Sequence, residues 1–355
     1  MKRLNNEMLS FLLKSLGIRK SAKVRSTPIA RGGSNRSFHR IAHEFGTSIF
    51  MVYDIAREEN RYYAAIADFL RSIGVPVPGI IVHDPEKGFI LMDDLGDRDL
   101  WSYREEPWTE RGLYYRKTLS AIHRLHAFPV QDFPIDTVPL MEAFGPNLYK
   151  WERDYFFDNS VDAVCGITIS EAERTDLEAE LEGLAGRLLD MPVTLVHRDL
   201  QSQNVMVYND RAAFVDFQGM RFGNPLYDLG SLLYDPYVSF AEDQRVELLR
   251  YYHELSTDRE DAVQNGKWGG AGDVNYLPTD WRTFEEGFRD AASQRLMQAL
   301  GAYGFLGLKK GLSGFLAHIP AGIANLIDSA SRSQHLPLLK KLAINCQRSL
   351  ARRIS

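Results

Sequence analysis

The sequence predicts an α+β chain folded in two lobes, an antiparallel sheet first and a mainly helical body after it. Two observations carry this expectation. Between residues 24 and 92 the apolar residues fall largely in short β-branched and aromatic runs punctuated by glycine and proline, whereas beyond residue 109 long stretches at helical spacing dominate. The polar, glycine-containing Asp93-Asp94-Leu95-Gly96-Asp97 lies where the texture changes. At 355 residues there is chain enough for each lobe to bury its own core, so 1–95 is expected to form the first lobe and 96–355 the second.

Residues 5–16 place Met8, Leu9, Leu12, Leu13 and Leu16 at helical spacing, and Gly17 ends the helix. The apolar run is broken by Lys14 and no small-residue cleavage site follows, so it reads as an amphipathic helix rather than a signal peptide. Strands are expected at 26–30, 37–41 and 47–53. Between the first two lies Arg31-Gly32-Gly33-Ser34-Asn35-Arg36, where paired glycines let backbone N–H groups approach a phosphate, although such a pair also makes a plain turn. Residues 58–73 form a helix with Tyr62, Ala65, Ile66, Phe69 and Leu70 on one face and Gly74 at its end. An extended Val75-Pro76-Val77-Pro78 connector leads to a hairpin of 79–83 and 88–92. Helices follow at 109–126 and 170–189, the latter opened by a Ser170/Glu173 capping box, and between them 148–157 mixes Trp151, Tyr155, Phe156 and Phe157 with Glu152, Arg153 and Asp154. His123 and His126 have neither acidic nor cysteine partners nearby in sequence and read as satisfied histidines rather than metal ligands. After Asp328 come six Lys or Arg and no Asp or Glu, the pattern of a solvated terminal helix.

Composition narrows the function classes. A net charge of −5 supplies no basic field for nucleic acid. Cys165 and Cys346 are too few for a disulfide framework and suit a reducing compartment. The apolar stretch 304–327 is interrupted by Lys309, Lys310, His318 and Pro320, too broken to span a bilayer. A cytoplasmic protein with neither a membrane nor a nucleic-acid partner is expected.

The chemistry gathers in Leu195-Val196-His197-Arg198-Asp199-Leu200-Gln201-Ser202-Gln203-Asn204 and Phe214-Val215-Asp216-Phe217-Gln218. Two short apolar strands each run into an acidic residue, and Asn204 stands five positions after Asp199. That spacing suits phosphoryl transfer: Asp199 accepts a hydroxyl proton, while Asn204 and Asp216 offer the oxygen ligands magnesium prefers. The bland alternative is two buried strands whose acidic ends cap turns.

On these residues, together with Gly32-Gly33-Ser34-Asn35, Val75-Pro76-Val77-Pro78 and Tyr227-Asp228-Leu229, residues 29–237 resemble the aminoglycoside phosphotransferase and choline kinase-like branch of the protein-kinase-like fold. Asp216-Phe217-Gln218, the segment 227–235 and Gln298-Ala299-Leu300-Gly301 are most similar to the cell-wall-recycling kinases of N-acetylmuramate and N-acetylglucosamine. The resemblance implies ATP and Mg2+ as cofactors, Asp199 as base, Asn204 and Asp216 as metal ligands, and Gly32, Gly33, Ser34 and Asn35 over the phosphates. It also implies adenine contacts from the backbone between Asp93 and Leu95. Asp228 is expected to brace the catalytic loop through backbone N–H groups, or simply to cap its helix.

One departure stands out: residues 48–54 contain no lysine, where the pattern places one against the phosphates. Arg36, Arg40 and Arg57 are the candidate replacements. The gap is also the only support for a pseudokinase binding module, against which the intact acid, amide and acid set argues. The span from Asp216 to Asp228 is too short for an extended activation loop, favouring a small hydroxylated acceptor, an amino sugar before an aminoglycoside or a choline-like amine. Acceptor contacts are expected from Gln201, Asp235, Tyr237, Glu152, Trp268 and Trp281, with 266–272 as a loop over the pocket. Arg221, Arg282 and Lys267 are candidate partners for a lactyl carboxylate.

Overall fold

The computed structural model describes residues 4–19, 24–29, 36–257 and 277–354. Among these, the first lobe holds a five-stranded antiparallel sheet: β1 (Arg25–Ile29), β2 (Ser37–His43), β3 (Gly46–Val52), β4 (Ile80–Asp84) and β5 (Phe89–Asp93), in the order β1-β2-β3-β5-β4. The period-two alternation of strands divides its side chains between two cores. Phe50, Phe89 and Leu91 face Met8 and Leu12 of α1 (Asn6–Ser15), while Met51, Ile90 and Met92 face Ile66 and Leu70 of α3 (Tyr63–Ser72). Asn5 caps α1, its Oδ1 accepting the Met8 N–H at 2.8 Å. β5 is buried on both faces and delivers the chain directly into Asp93 and Asp94 at the lobe junction.

The helix expected over 58–73 is interrupted. α2 (Glu58–Arg61) and α3 meet at Tyr62, whose N–H bonds Glu59 O, three residues back, at 3.3 Å, so the first turn is tightened before the α-helix proper begins.

The second lobe is built from α4 (Trp108–His126), α5 (Pro146–Phe156), α6 (Glu171–Leu189), α7 (Leu226–Leu233), α8 (Glu242–Thr257), α9 (Trp281–Gly304), α10 (Ile319–Ser331) and α11 (Pro337–Ile354). The capping box on α6 is formed: Ser170 Oγ accepts the Glu173 N–H at 3.3 Å and donates to the Glu173 carboxylate at 2.8 Å. α9 lies at the centre, every residue from Phe288 to Gly301 buried, as expected of a helix surrounded on all sides. Close approach needs small residues there: a Cβ on Gly230 of α7 would sit 2.7 Å from the Ala292 Cα. Two short antiparallel pairs, β6 (Thr194–Val196) with β9 (Arg221–Gly223) and the hairpin of β7 (Val205–Tyr208) with β8 (Arg211–Phe214), carry the segments holding Asp199, Asn204 and Asp216. α11 packs on α6 and α10, and Ser349 Oγ donates to Cys165 O at 2.6 Å; Cys165 and Cys346 are buried thiols that form no disulfide. No helix among the described residues is long and apolar enough to cross a membrane.

Candidate active site

β6 ends where His197-Arg198-Asp199 begins, and the loop that follows hangs from two buried carboxylates. Asp228, inside the first turn of α7, accepts the His197 N–H at 2.6 Å and the Arg198 N–H at 2.7 Å. Its remaining capacity goes to His126 Nε2 at 3.0 Å, and His126 Nδ1 meets the Tyr252 hydroxyl at 2.6 Å. Asp228 therefore holds the loop's backbone rather than capping its helix, and His126 is a buried structural histidine. Burial and the adjacent His126 push the His123 pKa down to about 4, so that ring is neutral. Asp235, just past the other end of α7, accepts Ser202 N–H at 2.8 Å, the Ser202 hydroxyl, and Tyr237 N–H at 3.0 Å. Between these anchors Arg198 adopts a left-handed backbone, φ +77°, unfavourable for a residue with a side chain and held there by Asp228.

Asp199 is flanked by two guanidinium groups, Arg198 Nη1 at 3.0 Å from Oδ2 and Arg295 Nη2 at 3.4 Å from Oδ1. Burial alone would raise its pKa, yet Arg198, Arg295, His197 and Arg221 together hold it below the usual carboxylate value, which favours its charged form. Asn204 Nδ2 donates to Asp199 O at 2.8 Å, and Val215 N–H donates to Asn204 O at 3.0 Å, which fixes Asn204 beside the start of the Asp216 segment. Asp216 is also left-handed, φ +65°; its Oδ1 accepts from Gln218 Nε2 at 2.9 Å and from Arg36. Arg36, Asn204 and Asp216 line one end of a cleft of about 430 Å³ whose apolar part includes Ile49, Met92, Leu95 and Met206, with Asp93 and Asp94 at the junction. Asn204 spends its N–H on the loop, leaving Oδ1 as a donor atom beside the Asp216 carboxylate, and the buried Gln218 Oε1 has no hydrogen-bond partner among the described residues. All three are oxygen donors, the set that suits magnesium completed by phosphate and water. No cluster of three or more His, Cys, Asp or Glu arranged for a metal occurs among the described residues.

The three candidate replacements for the missing lysine separate. Arg57 is half exposed, 3.6 Å from Glu59 and outside the cleft lining. Arg40 is engaged at the junction, bonding Asp94 through Nε at 2.6 Å and Nη2 at 3.0 Å, with Asp97 and Gly96 O as further partners. Arg36, only a tenth exposed, reaches Asp216 inside the cleft.

On the acceptor side the structure brings some expected residues together and removes others. Gln201 Nε2 donates to the Tyr303 hydroxyl at 3.2 Å, and the Tyr237 ring lies 5.8 Å from that of Tyr303 and 4.3 Å from His318. Glu152, expected as an acceptor contact, is instead fully buried, accepting from Tyr227 at 2.8 Å and Gln294 at 3.0 Å. Asp235 is likewise a buried brace for the loop, and burial pushes both carboxyl groups up. Buried acids must be satisfied internally, which leaves neither free to meet an acceptor. Trp281 and Arg282 begin α9, about 20 Å along the helix from Arg295 at 1.5 Å per residue. There Trp281 packs on His253 and Phe284, and Arg282 pairs with Glu286. Arg221 does lie near Asp199; it is buried, donates to Gly219 O at 3.1 Å, and burial together with Arg198 lowers its pKa. Residues 32–35, Lys267, Trp268 and the stretch 266–272 fall outside the described residues.

Residues 25–263 match the sequence model of the phosphotransferase enzyme family. The chain belongs to that family. An N-acetylmuramate/N-acetylglucosamine kinase of Pseudomonas aeruginosa is 24% identical over 286 residues, covering 81% of this chain and 78% of the relative. A kinase of the same description from Pseudomonas putida is 30% identical over 222 residues, 62% of each chain. An aminoglycoside phosphotransferase solved as a ternary complex with streptomycin and ATP superposes with a TM-score of 0.53 at 13% identity, covering 89% of this chain and 97% of that one. The two-lobed α+β architecture is thus the protein-kinase-like one, and the chain is an ATP-dependent phosphotransferase.

Three residues that the structure sets against Asp199, Gln201 and Tyr237 were not among the expected site residues: Arg295, Tyr303 and His318. The signal was faint but present, since Gln294, Arg295 and Gln298 interrupt the apolar and small residues 291–301 of a helix that the fold buries all round. Polar groups in such a helix must face partners rather than solvent.

Proposed function

We propose that the chain is a magnesium-dependent kinase that transfers the γ-phosphoryl group of ATP to the anomeric hydroxyl of an N-acetylated amino sugar, N-acetylmuramate or N-acetylglucosamine. In this reading residues 1–95 bind the nucleotide and 96–355 carry the catalytic loop and the acceptor region. The apolar part of the cleft receives adenine, whose polar edge meets the backbone of Asp93 and Leu95, and Gly32-Gly33-Ser34-Asn35 covers the phosphates. Asp199 takes the acceptor hydroxyl proton as the new O–P bond forms and the bond from the γ-phosphorus to the ADP oxygen breaks. Asn204 and Asp216 would hold magnesium, which when bound neutralises charge on the phosphate oxygens. Arg36 supplies the cation that β3 lacks, its fork suited to phosphate oxygens. Arg36→Ala is expected to raise the KM for ATP roughly tenfold, the worth of one charge-assisted hydrogen bond, with Arg40→Ala and Arg57→Ala nearly silent.

The observation that carries the acceptor reading is the charge around Asp199. Arg198, Arg221 and Arg295 converge there, the last two 5% and 3% exposed, while Glu152 and Asp235 are committed inside the protein. A polycationic antibiotic asks for an acidic pocket; this surrounding favours an anionic or neutral acceptor. The descriptions of the Pseudomonas relatives support the same choice. Phosphorus NMR of reactions with N-acetylmuramate, N-acetylglucosamine, kanamycin and choline tests it. The expected product is an acid-labile, alkali-stable sugar 1-phosphate; phosphorylation of either amine and of neither sugar would overturn it.

A further inference from the structure

The Asp199 backbone is held through its carbonyl oxygen, which accepts the Gln201 N–H and Asn204 Nδ2 at 2.8 Å each, whereas the contacts of its carboxylate are to arginine side chains. Its Oδ2 leans on Arg198, the residue before it, while its Oδ1 depends on a side chain 96 residues further along the chain. Arg295 is 3% exposed on α9 and its donors are shared out: Nε to Ser231 Oγ of α7 at 3.1 Å, Nη1 to Gln298 Oε1, and Nη2 toward Asp199 at 3.4 Å. A guanidinium has five N–H donors in one rigid plane, so fixing two edges on α7 and α9 fixes the direction of the third. Two residues on, Gln201 donates to Tyr303 of the same helix, so the loop touches α9 on both sides of Leu200. A second arginine on α9 provides the contrast. Arg289 is equally buried, but its partners are Tyr234, Glu242 and Glu285, away from the loop.

We infer that Arg295 is a positioning residue for phosphoryl transfer, aligning the Asp199 carboxylate with the acceptor hydroxyl from the rigid frame of α7 and α9. The inference rests on Asp199 being the base. It predicts a particular division of kinetic effects. Misdirecting a catalytic group by an ångström can cost on the order of 100-fold, and because Arg295 lies outside the nucleotide cleft lining, the loss falls on kcat and not on the KM for ATP.

The test compares Arg295→Met, Arg295→Lys and Arg289→Met in the full chain, with Asp199→Asn alongside, using whichever hydroxyl acceptor is turned over, or water in slow ATP hydrolysis. Arg295→Met is expected to lower kcat roughly 100-fold with the KM for ATP within about threefold. Arg295→Lys, which restores the charge without the fork, is expected to recover part of the loss. Arg289→Met should lower the Tm while the folded fraction keeps its kcat. If Arg295→Met folds and keeps kcat within about threefold, or loses only acceptor KM, the inference is overturned. Should Arg295→Met not fold, Arg295→Lys decides: unchanged kcat overturns, reduced kcat at unchanged KM for ATP supports. Asp199→Asn separates the two levels. Loss there with none at Arg295 removes the inference alone, whereas activity retained in Asp199→Asn removes the base assignment and the inference with it.

Discussion

The two arginines on Asp199 arrive by unlike routes. Arg198 is its neighbour in sequence, and its place is set within a span of about thirty residues by Asp228, which holds the backbone on which it sits. Arg295 comes from 96 residues later and reaches the carboxylate only because α9 has been threaded through the centre of the helical lobe. The loop carrying Asp199 is built on a short stretch of sequence, whereas the side of it that meets α9 is assembled by tertiary packing. A locally built site resists change elsewhere in the fold, whereas a packed one inherits every shift of the helices around it.

The largest expected effect lies on the local side. Asp199→Asn should leave the Tm and nucleotide affinity essentially unchanged while kcat falls by about a thousandfold, the reach of general-base assistance; activity within a few-fold of wild type would remove the residue from the chemistry. Next comes the frame itself. Asp228→Ala strands two buried loop N–H groups and His126, which should cost about 3 kcal/mol or more in urea unfolding. A smaller cost would mean that the loop stands without its brace and that the two sides differ less than their geometry suggests.

Much of the local side was legible because its residues lie close together in sequence. Asp199, Asn204, Asp216 and Asp228 fall within thirty positions, and the strand and helix patterns around them sufficed to set them on neighbouring loops. The sheet was legible for a similar reason, since period-two alternation specifies faces. Glu152 and Asp235 misled because polarity in a sequence marks a need for partners without saying whether the partner is an acceptor molecule or another part of the chain. Trp281 and Arg282 share their helix with Arg295, yet the length of α9 carries them away from the loop. Arg36 could be shortlisted but not chosen, because its selection over Arg40 depends on which carboxylate each guanidinium reaches.

A smaller effect is expected at the two residues proposed to hold magnesium. Asp216→Ala should weaken magnesium-dependent ATP binding by on the order of tenfold and Asn204→Ala by less, since one loses a charged donor and the other a neutral one. Isothermal titration with and without magnesium measures the difference, and unchanged affinity in both variants would place the metal elsewhere.

The smallest concerns Glu152 on the packed side. Its carboxyl pKa is raised in the folded protein, chiefly by burial, above the unfolded value near 4.3. The folded state therefore binds the proton more tightly, and the associated stability is present below about pH 4 and is lost as the pH rises through the folded value. Glu152→Gln should remove that slope, so that the unfolding free energy from urea titrations falls less steeply than in wild type as the pH rises above the unfolded carboxyl value. Equal slopes would mean that Arg198 and Arg295 fully compensate the buried charge.

The two thiols give the helical lobe a clock of its own. Cys346 is buried on α11 itself against Cys165 beneath it, and contact with Cys165 together with burial pushes the Cys346 thiol pKa up. A thiol-reactive dye can therefore mark either one only after the carboxy-terminal helix has peeled from its bed. The labelling rate counts those departures without reference to catalysis, and so measures how firmly the last element of the chain is closed over the lobe that carries α9.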